Sequence, residues 1–234
     1  LTPSITNSSL LGNGINLPYY FALAEHKDAT LNPKIYADEN PVIQTEYRHV
    51  TKNSSSIIDT SYNQGYKKTS NKKTSGSRNH IFAKTDIDLD FEMFDESKLV
   101  INFQKSSNDT YLKVHDINSK LKTSNTVMNS SIDMNFSKND SSMDINMDVY
   151  EDLSKTDDRY EYVIPNYNYK NKLSISEELG TLNFQSRGYY KNYQTNKKQT
   201  KLVNDFFWNS NDYISNSGFI TKVEGNLKNS NYRT

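Results

Sequence analysis

Cysteine is absent from all 234 residues, which removes disulfides, thiolate metal sites and cysteine nucleophiles and leaves the compartment open. Net charge is absent too: 28 Lys and Arg balance 28 Asp and Glu. Nothing attracts a polyanion, and no nucleic-acid partner is expected. Long apolar runs are missing as well. The longest, such as Leu99 to Phe103, fall far short of the ~20 residues a helix needs to cross a bilayer, although a β-barrel stays open. Hydrophobic residues make up only 34% of the chain, a thin supply for an ordinary core and a composition that often signals disorder.

What is present argues against disorder. The chain holds 17 Tyr and 10 Phe, and its apolar residues are few but well placed. Asp86, Ile87, Asp88, Leu89, Asp90, Phe91, Glu92, Met93 alternate strictly between carboxylate and apolar side chain. Successive side chains of a strand point to opposite faces, so this segment predicts one greasy face and one acidic face. The alternation returns in Ile15 to Leu23, Leu99 to Phe103, Ile132 to Phe136 and Met143 to Val149. Only alternate residues need be apolar when one face meets water or a polar lumen.

Strands are predicted at Gly14–Ala24, Ala29–Ala37, Val42–Thr51, Ser56–Tyr66, His80–Met93 and Lys98–Gln104. They continue at Tyr111–Asp116, Val127–Ser137, Ser142–Asp152, Tyr160–Tyr169, Thr181–Tyr193, Leu202–Asn209 and Gly218–Leu227. Turn-forming residues such as Asp38, Glu39, Asn40, Pro41 and Lys138, Asn139, Asp140, Ser141 separate them, which predicts an all-β antiparallel meander of roughly a dozen strands. No apolar period of 3.6 supports a helix. Gly12, Asn13, Gly14 reads as a turn, and the polar stretch Lys67–Ser77 as a flexible basic loop. The sequons at Asn7, Asn53, Asn108 and Asn129 need no explanation beyond an Asn- and Ser-rich chain.

Alternation alone does not separate a soluble sandwich from a membrane barrel, since each has one apolar and one polar face. Runs such as Ile15–Leu23 and Thr85–Met93 reach the roughly 9 to 11 residues of a membrane-crossing strand. Tyr19, Tyr20, Tyr150, Tyr160, Tyr162, Phe206, Phe207 and Trp208 lie near strand ends, where they would serve as interfacial girdles or equally as core aromatics. Asp86, Asp88, Asp90 and Asp144, Asn146, Asp148 could be imagined as glycosidase carboxylates or calcium ligands. Carboxylates spaced by two on a strand more simply coat one face, in a barrel the lumen, and these six are lumen-facing candidates. His26, His49, His80 and His115 are too dispersed to predict a metal site, and no phosphate-binding glycine loop or GxSxG elbow occurs. No catalytic residue, metal or cofactor is expected.

One stretch goes further. Leu17, Pro18, Tyr19, Tyr20, Phe21, then Lys27, Asp28, Ala29, Thr30, Leu31, Asn32, Pro33, then Glu46, Tyr47, Arg48 resembles the start of the barrel in the LptD family, the lipopolysaccharide-assembly outer-membrane proteins also called organic solvent tolerance proteins. Ser107, Asn108, Asp109, Thr110, Tyr111, Leu112 is similar to the family's Ser-Asp-Asp-x-Tyr-Leu segment, and Pro165 and then Gly180 to Tyr190 follow in family order. Between the first two prolines, Ala24, Glu25, His26 stands where an Ala-Pro-Asn turn is more usual.

The resemblance implies that residues 1–234 are the N-terminal part of a large transmembrane barrel in the cell outer membrane, without its periplasmic jellyroll and its C-terminal strands. The chain begins without Met or a leader pattern, which reads as a piece of a longer protein. The implied activity is non-catalytic: transport of lipopolysaccharide and its insertion into the outer leaflet through a lateral gate. Implied partners are lipopolysaccharide, an LptE-like lipoprotein plug and a periplasmic transport bridge reached through the missing domain. Pro18 and Pro33 match the two family prolines at the gate, where a residue without N–H removes a ladder hydrogen bond. Alternatives are a glycan-binding β-sandwich, a porin-type barrel, and a β-rich glycoside hydrolase, which needs two carboxylates converging within about 5 to 9.5 Å.

Overall fold

Strands form almost everywhere the period-2 pattern runs. The computed structural model describes residues 2–65, 76–176 and 179–234, and its elements are nearly all extended. The first half holds β1 (Ser4–Ser8), β2 (Gly12–Asn16), β3 (Tyr19–Ala24), β4 (Lys27–Tyr36), β5 (Val42–Val50), β6 (Ser54–Asn63), β7 (Arg78–Asp88) and β8 (Glu96–Ser106). A four-residue helix α1 (Tyr111–Val114) precedes β9 (Val127–Lys138), β10 (Ser141–Asp152), β11 (Tyr160–Ser176), β12 (Gly180–Tyr193) and β13 (Lys197–Asn209). The short β14 (Tyr213–Ile214) and β15 (Ile220–Thr221) and then β16 (Glu224–Arg233) follow.

Hydrogen-bonded neighbours run β1-β2-β4-β5-β6-β7-β8-β9-β10-β11-β12-β13-β16, with β3 added on β4, while β14 and β15 pair separately. This is the predicted all-β antiparallel meander. The described part divides into one unit of residues Leu1–Ile87, Val100–Ser131 and Tyr150–Arg159 and another of Asp88–Leu99, Ile132–Val149 and Tyr160–Thr234.

Five expectations need correction. The single strand predicted over Gly14–Ala24 is two, because Leu17 and Pro18 fall between β2 and β3 and proline has no N–H for a ladder. Gly12 to Gly14 belong to β2, and the turn lies just before them. Strand β7 stops at Asp88 although the alternation persists to Met93: Leu89 N–H closes on Ser97 O at 2.8 Å, and Asp90 adopts φ of 50°, a left-handed conformation that Asp tolerates. Tyr111–Asp116 is helical at its start, where the Asn108 side chain accepts from Thr110 N–H at 3.1 Å and opens the turn. Tyr111 and Leu112 are both fully buried, which a strand with one wet face does not allow. Gly218–Leu227 divides between β15 and β16. The loop predicted at Lys67–Ser77 lies, up to residue 75, outside the described residues.

In the first unit the two sheet faces carry an inverted pattern. Lys34, Gln44, Asp59, Ser61, Asn63, Arg78 and His80 are buried, together with Tyr36, Val42 and Phe82. Their alternate neighbours Ile35, Ile43, Ile58, Tyr62 and Ile81 are exposed, Ile81 at 45%. The covered face is the polar one. What covers it is residues 107–126 between β8 and β9, whose Tyr111, Leu112 and Ile117 join Leu11, Tyr36, Val42, Phe82, Met128 and Leu153 in one apolar cluster. In the second unit, Phe184 lies 4.7 Å from Phe206 and 6.1 Å from Tyr169, ring to ring. Side-chain amides and carboxylates line up elsewhere: Asn135 donates to Asp144 at 3.0 Å, Asn168 to Asp144 at 3.2 Å, and Gln185 to Asn168 at 2.7 Å.

Candidate functional site

Strand register puts every other polar residue of β4 to β7 on one face, and that face holds the insertion by its backbone carbonyls. Lys34 Nζ donates to Asp116 O at 2.6 Å and His115 O at 3.3 Å, Gln44 Nε2 to Asn118 O at 2.8 Å, and Gln104 Nε2 to Leu121 O at 2.7 Å. Lys122 Nζ closes the segment on its own Ile117 O. Arg159 joins Asp109 at 2.8 Å to Glu151 at 3.1 Å, and Lys105 reaches Glu151 at 2.7 Å, fixing the start of the insertion. Buried donors meeting buried carbonyls satisfy both sides, next to the apolar cluster that packs the same insertion.

Beneath the insertion, Ser61 Oγ shares hydrogen bonds with His80 Nδ1 at 2.5 Å and Tyr111 Oη at 2.8 Å, while His80 Nε2 lies 3.3 Å from Asp59 Oδ1. The residue types are those of a hydrolase triad. The setting is not: Ser61, His80 and Asp59 are all buried and Ser61 is already engaged by Tyr111, which leaves no room for a substrate carbonyl. Burial pushes the Tyr111 phenol up to about 12, so it stays a neutral hydrogen-bonding group. Burial and then the charges of Arg78 and Lys34 hold His115 down at about 4, so it is a neutral ring at neutral pH.

Beside the insertion opens a cleft of about 620 Å³ lined by Pro18, Tyr20, Asn32, Gln44, Arg48 and Lys120, with Thr30, Glu46, Asp59 and Asn118 completing it. Arg48 Nε lies 2.8 Å from Asp28 and 3.5 Å from Glu46, and Lys120 Nζ lies 3.4 Å from Glu46. Both cations of the cleft are therefore balanced by carboxylates. Two acceptors are not: among the described residues, Asn32 Oδ1 and Gln44 Oε1 are buried and accept no hydrogen bond.

The two prolines meet at the same place. Asn16 pairs with Lys34 and Tyr19 with Leu31, so Leu17 and Pro18 lie opposite Asn32 and Pro33. Leu17 N–H donates to Pro33 O at 3.1 Å, and neither proline has an N–H to add. Of the six acidic-series residues, Asp86 and Asp88 take the even positions of β7, the series of His80 and Phe82, and Asp86 pairs with Lys84 at 3.2 Å. Asp90 is in the turn and shares no strand face with them. Asp144, Asn146 and Asp148 take alternate positions of β10, with Asn146 donating to Asp133 at 2.5 Å. Of the histidines, His26 and His49 come within 5.4 Å ring to ring; among the described residues no group of three or more His, Asp or Glu could hold a metal.

Sequence reasoning did not assemble the cleft. Its signal was the polar alternation Asp28, Thr30, Asn32, Lys34 and Gln44, Glu46, Arg48, visible as two wet strand faces. Lys120 and Asn118 had no such signal, because only the docking of the insertion brings them there.

Fold and faces define the class: an antiparallel meander that turns apolar side chains outward in its first unit and keeps a polar groove beside a proline-broken first strand. Comparison with known proteins names a similarity within that class. The chain is 45% identical over 53 residues to the LPS-assembly protein LptD of Psychrobacter cryohalolentis, a match covering 23% of this chain and 5% of that protein. It is 43% identical over 53 residues to the LPS-assembly protein LptD of Psychrobacter arcticus, covering 23% and 6%. With the protein of that name in Pseudomonas aeruginosa it shares 37% identity over 62 residues, covering 26% and 7%. The matched stretch thus covers less than a tenth of the length of these curated relatives. Seven such relatives carry the LptD name, which bears out the resemblance read from the motifs over about a quarter of the chain. No family model matches it. Among the described residues no helix is long and apolar enough to cross a membrane, which says nothing of strands.

Proposed function

We propose that this chain is part of an outer-membrane β-barrel that assembles lipopolysaccharide, and that Pro18 and Pro33 weaken strand pairing beside the lateral opening between the barrel's first and last strands, through which the lipid passes. The observation that carries the reading is the inverted sheet. Ile35, Ile43, Ile58 and Ile81 are bare while Gln44, Asp59, Ser61 and His80 are covered. In water that arrangement is unfavourable, whereas a barrel wall facing hydrocarbon requires it. The similarity to proteins named LPS-assembly protein LptD supports the choice of cargo.

At the seam neither proline can donate, which leaves the ladder there held by the Leu17 to Pro33 bond and weakens the pairing at the start of β3, whose partner in the sheet is β4. Asp86 and Asp88 at the end of β7, and Asp144, Asn146 and Asp148 at alternate positions of β10, would then line a hydrated lumen suited to sugars. Asp90 borders it from a turn. The role is non-catalytic, and an LptE-like lipoprotein and a periplasmic bridge would complete the assembly through parts of the protein outside this chain. A soluble glycan-binding sandwich is disfavoured by the same bare isoleucines.

The test is site-specific photocrosslinking from residue 18 and its neighbours in the full-length parent, expressed in an outer-membrane-bearing host. Lipopolysaccharide adducts that need the upstream transport machinery are expected; a correctly inserted barrel without adducts would refute the reading. Pro18→Ala combined with Pro33→Ala restores two donors and is expected to reduce surface lipopolysaccharide at unchanged protein level. Undiminished delivery would remove the prolines from the mechanism.

A further inference from the structure

We infer that the hairpin of β14 and β15 is an interfacial anchor, which seats Ile214, Phe219 and Ile220 at the boundary of headgroups and acyl chains in the bilayer around the barrel. The inference rests on the outer-membrane reading and adds to it a lipid contact outside the barrel wall. Between β13 and β16 the chain leaves the large sheet, and its stretch Tyr213 to Thr221 carries no charge. The large side chains there are bare: Phe219 is 73% exposed, Ile214 71% and Ile220 67%. They are also held in place. Tyr213 pairs with Thr221 and Ile214 with Ile220, and the turn closes through Ser215 N–H to Phe219 O and Gly218 N–H to Ser215 O, each at 2.9 Å. At the base, Ser210 N–H donates to Val223 O at 2.9 Å and Val223 N–H to Ser210 Oγ at 2.8 Å. Gly180, at φ of 80°, lies so close under Asn209 O that no Cβ would fit. The hairpin is built to hold apolar side chains out.

Three features choose lipid as the occupant. The strand ends that lead into the hairpin present an apolar face: register sets Leu173, Leu182 and Trp208 in one row and Phe184, Phe206 and Leu227 in the next, while Asn183, Asp205 and Lys228 take the other face. The hairpin follows directly on that surface. Its own exposed apolar residues lie on both sides, Ile214 and Ile220 on one face and Tyr213 on the other, with Phe219 at the turn. A protein groove covers one face, whereas a fluid apolar layer meets them all. Finally, β14 and β15 form a sheet of only two strands, and hydrocarbon would leave the backbone groups of its outer edges unanswered. Water disfavours the side chains and the hydrocarbon core disfavours the edges. The headgroup layer accommodates both, and it suits the uncharged polar turn Ser215, Asn216, Ser217.

The experiment places a benzophenone amino acid singly at positions 214, 219 and 220 of the full-length parent, reconstituted in vesicles of phosphatidylethanolamine and phosphatidylglycerol, and reads the adducts by mass spectrometry after illumination. Position 81, on the bare face of β7, reports insertion of the wall, and position 196, in the exposed turn between β12 and β13, reports an ordinary polar turn. Phospholipid adducts are expected at the three hairpin positions and at 81, several-fold above those at 196. With the probe at 219, Ile214→Asn combined with Ile220→Asn is expected to lower the lipid adducts several-fold and to leave those at 81 unchanged. Lipid adducts at 81 without any at the hairpin would overturn the inference and leave the barrel reading standing. No lipid adducts at 81 or at the hairpin would remove both. Adducts from the hairpin to protein alone, a yield at 196 equal to that at 219, or a yield at 219 that ignores the two asparagines would each overturn the anchor.

Discussion

Acidification should release residues 107–126 from the sheet. His115 is 1% exposed, and burial, with the charges of Arg78 and Lys34, lowers its imidazole from 6.5 to about 4. The groups facing it are Lys34, Arg78, Tyr36 and Tyr111, and the two cations both oppose a proton on the ring. A depressed histidine means that the docked segment holds the neutral form while the released segment takes up a proton at the ordinary value. Docking is therefore fully stable above about 6.5, weakens as the pH falls from there to about 4, and changes no further from this group below that. The gap of about 2.5 between the two values corresponds to about 3 kcal/mol at the acid end, and at pH 5 to about 2 kcal/mol, or about 30-fold in the docking equilibrium. Hydrogen-exchange mass spectrometry on the full-length protein in micelles, corrected for intrinsic exchange, follows the peptide across pH 7.5 to 4.5. His115→Leu, which keeps an apolar side chain in place of the ring, should flatten the response. Wild-type protection that is unchanged across the window would refute the argument. So would a His115→Leu variant that loses protection as steeply, since the carboxylates beneath the insertion would then carry the effect.

Phe82→Ala removes a fully buried ring from the cluster that seats the insertion, and is expected to cost about 3 to 5 kcal/mol, read as a lower urea midpoint in micelles; an unchanged midpoint would mean that the carbonyl anchors alone hold the segment. Ile81→Arg puts a charge on the bare face of β7, and in a barrel wall is expected to cost up to about 2 to 4 kcal/mol at mid-membrane depth. Asp86→Asn, on the other face of the same strand, is expected to stay within about 0.5 kcal/mol. Equal tolerance of both, measured by folding into lipid vesicles, would argue for a face that meets water.

Much of the fold was legible because strand alternation is a local signal. Ile43, Gln44, Glu46 and Arg48 declare their faces within β5 alone, and the hairpin turn at Asn139 and Asp140 is announced by its own residues. What failed to show were features decided elsewhere in the chain. Asp86 to Met93 alternates without a break, yet β7 stops at Asp88 because the chain turns there to close on Ser97. Tyr111 to Asp116 reads as extended by its aromatic and β-branched residues, and becomes helical because Asn108 opens a turn and the packed cluster accepts two consecutive side chains. Pro18 and Pro33 were visible as two separate prolines, and only the pairing of β2 and β3 with β4 sets them diagonally next to one another. The cleft needed tertiary structure altogether, since Asn118 and Lys120 belong to a segment with no periodic pattern.

The insertion and the bare face pose one physical question from two sides. A polar sheet face can be covered only by something that answers its hydrogen bonds, and residues 107–126 do so with backbone carbonyls rather than with matching side chains. Among the described residues no second segment covers the apolar face of the same unit: Ile35, Ile43, Ile58 and Ile81 are exposed where one docked apolar segment would have buried them. Had water been the solvent of both faces, burial would have favoured covering the isoleucines first, because they gain most by leaving it. Covering the polar face and leaving the apolar one bare is the favourable order only where the surroundings of the outer face are themselves apolar. The choice of face thus supports, independently of any sequence similarity, the outer-membrane reading proposed for this chain.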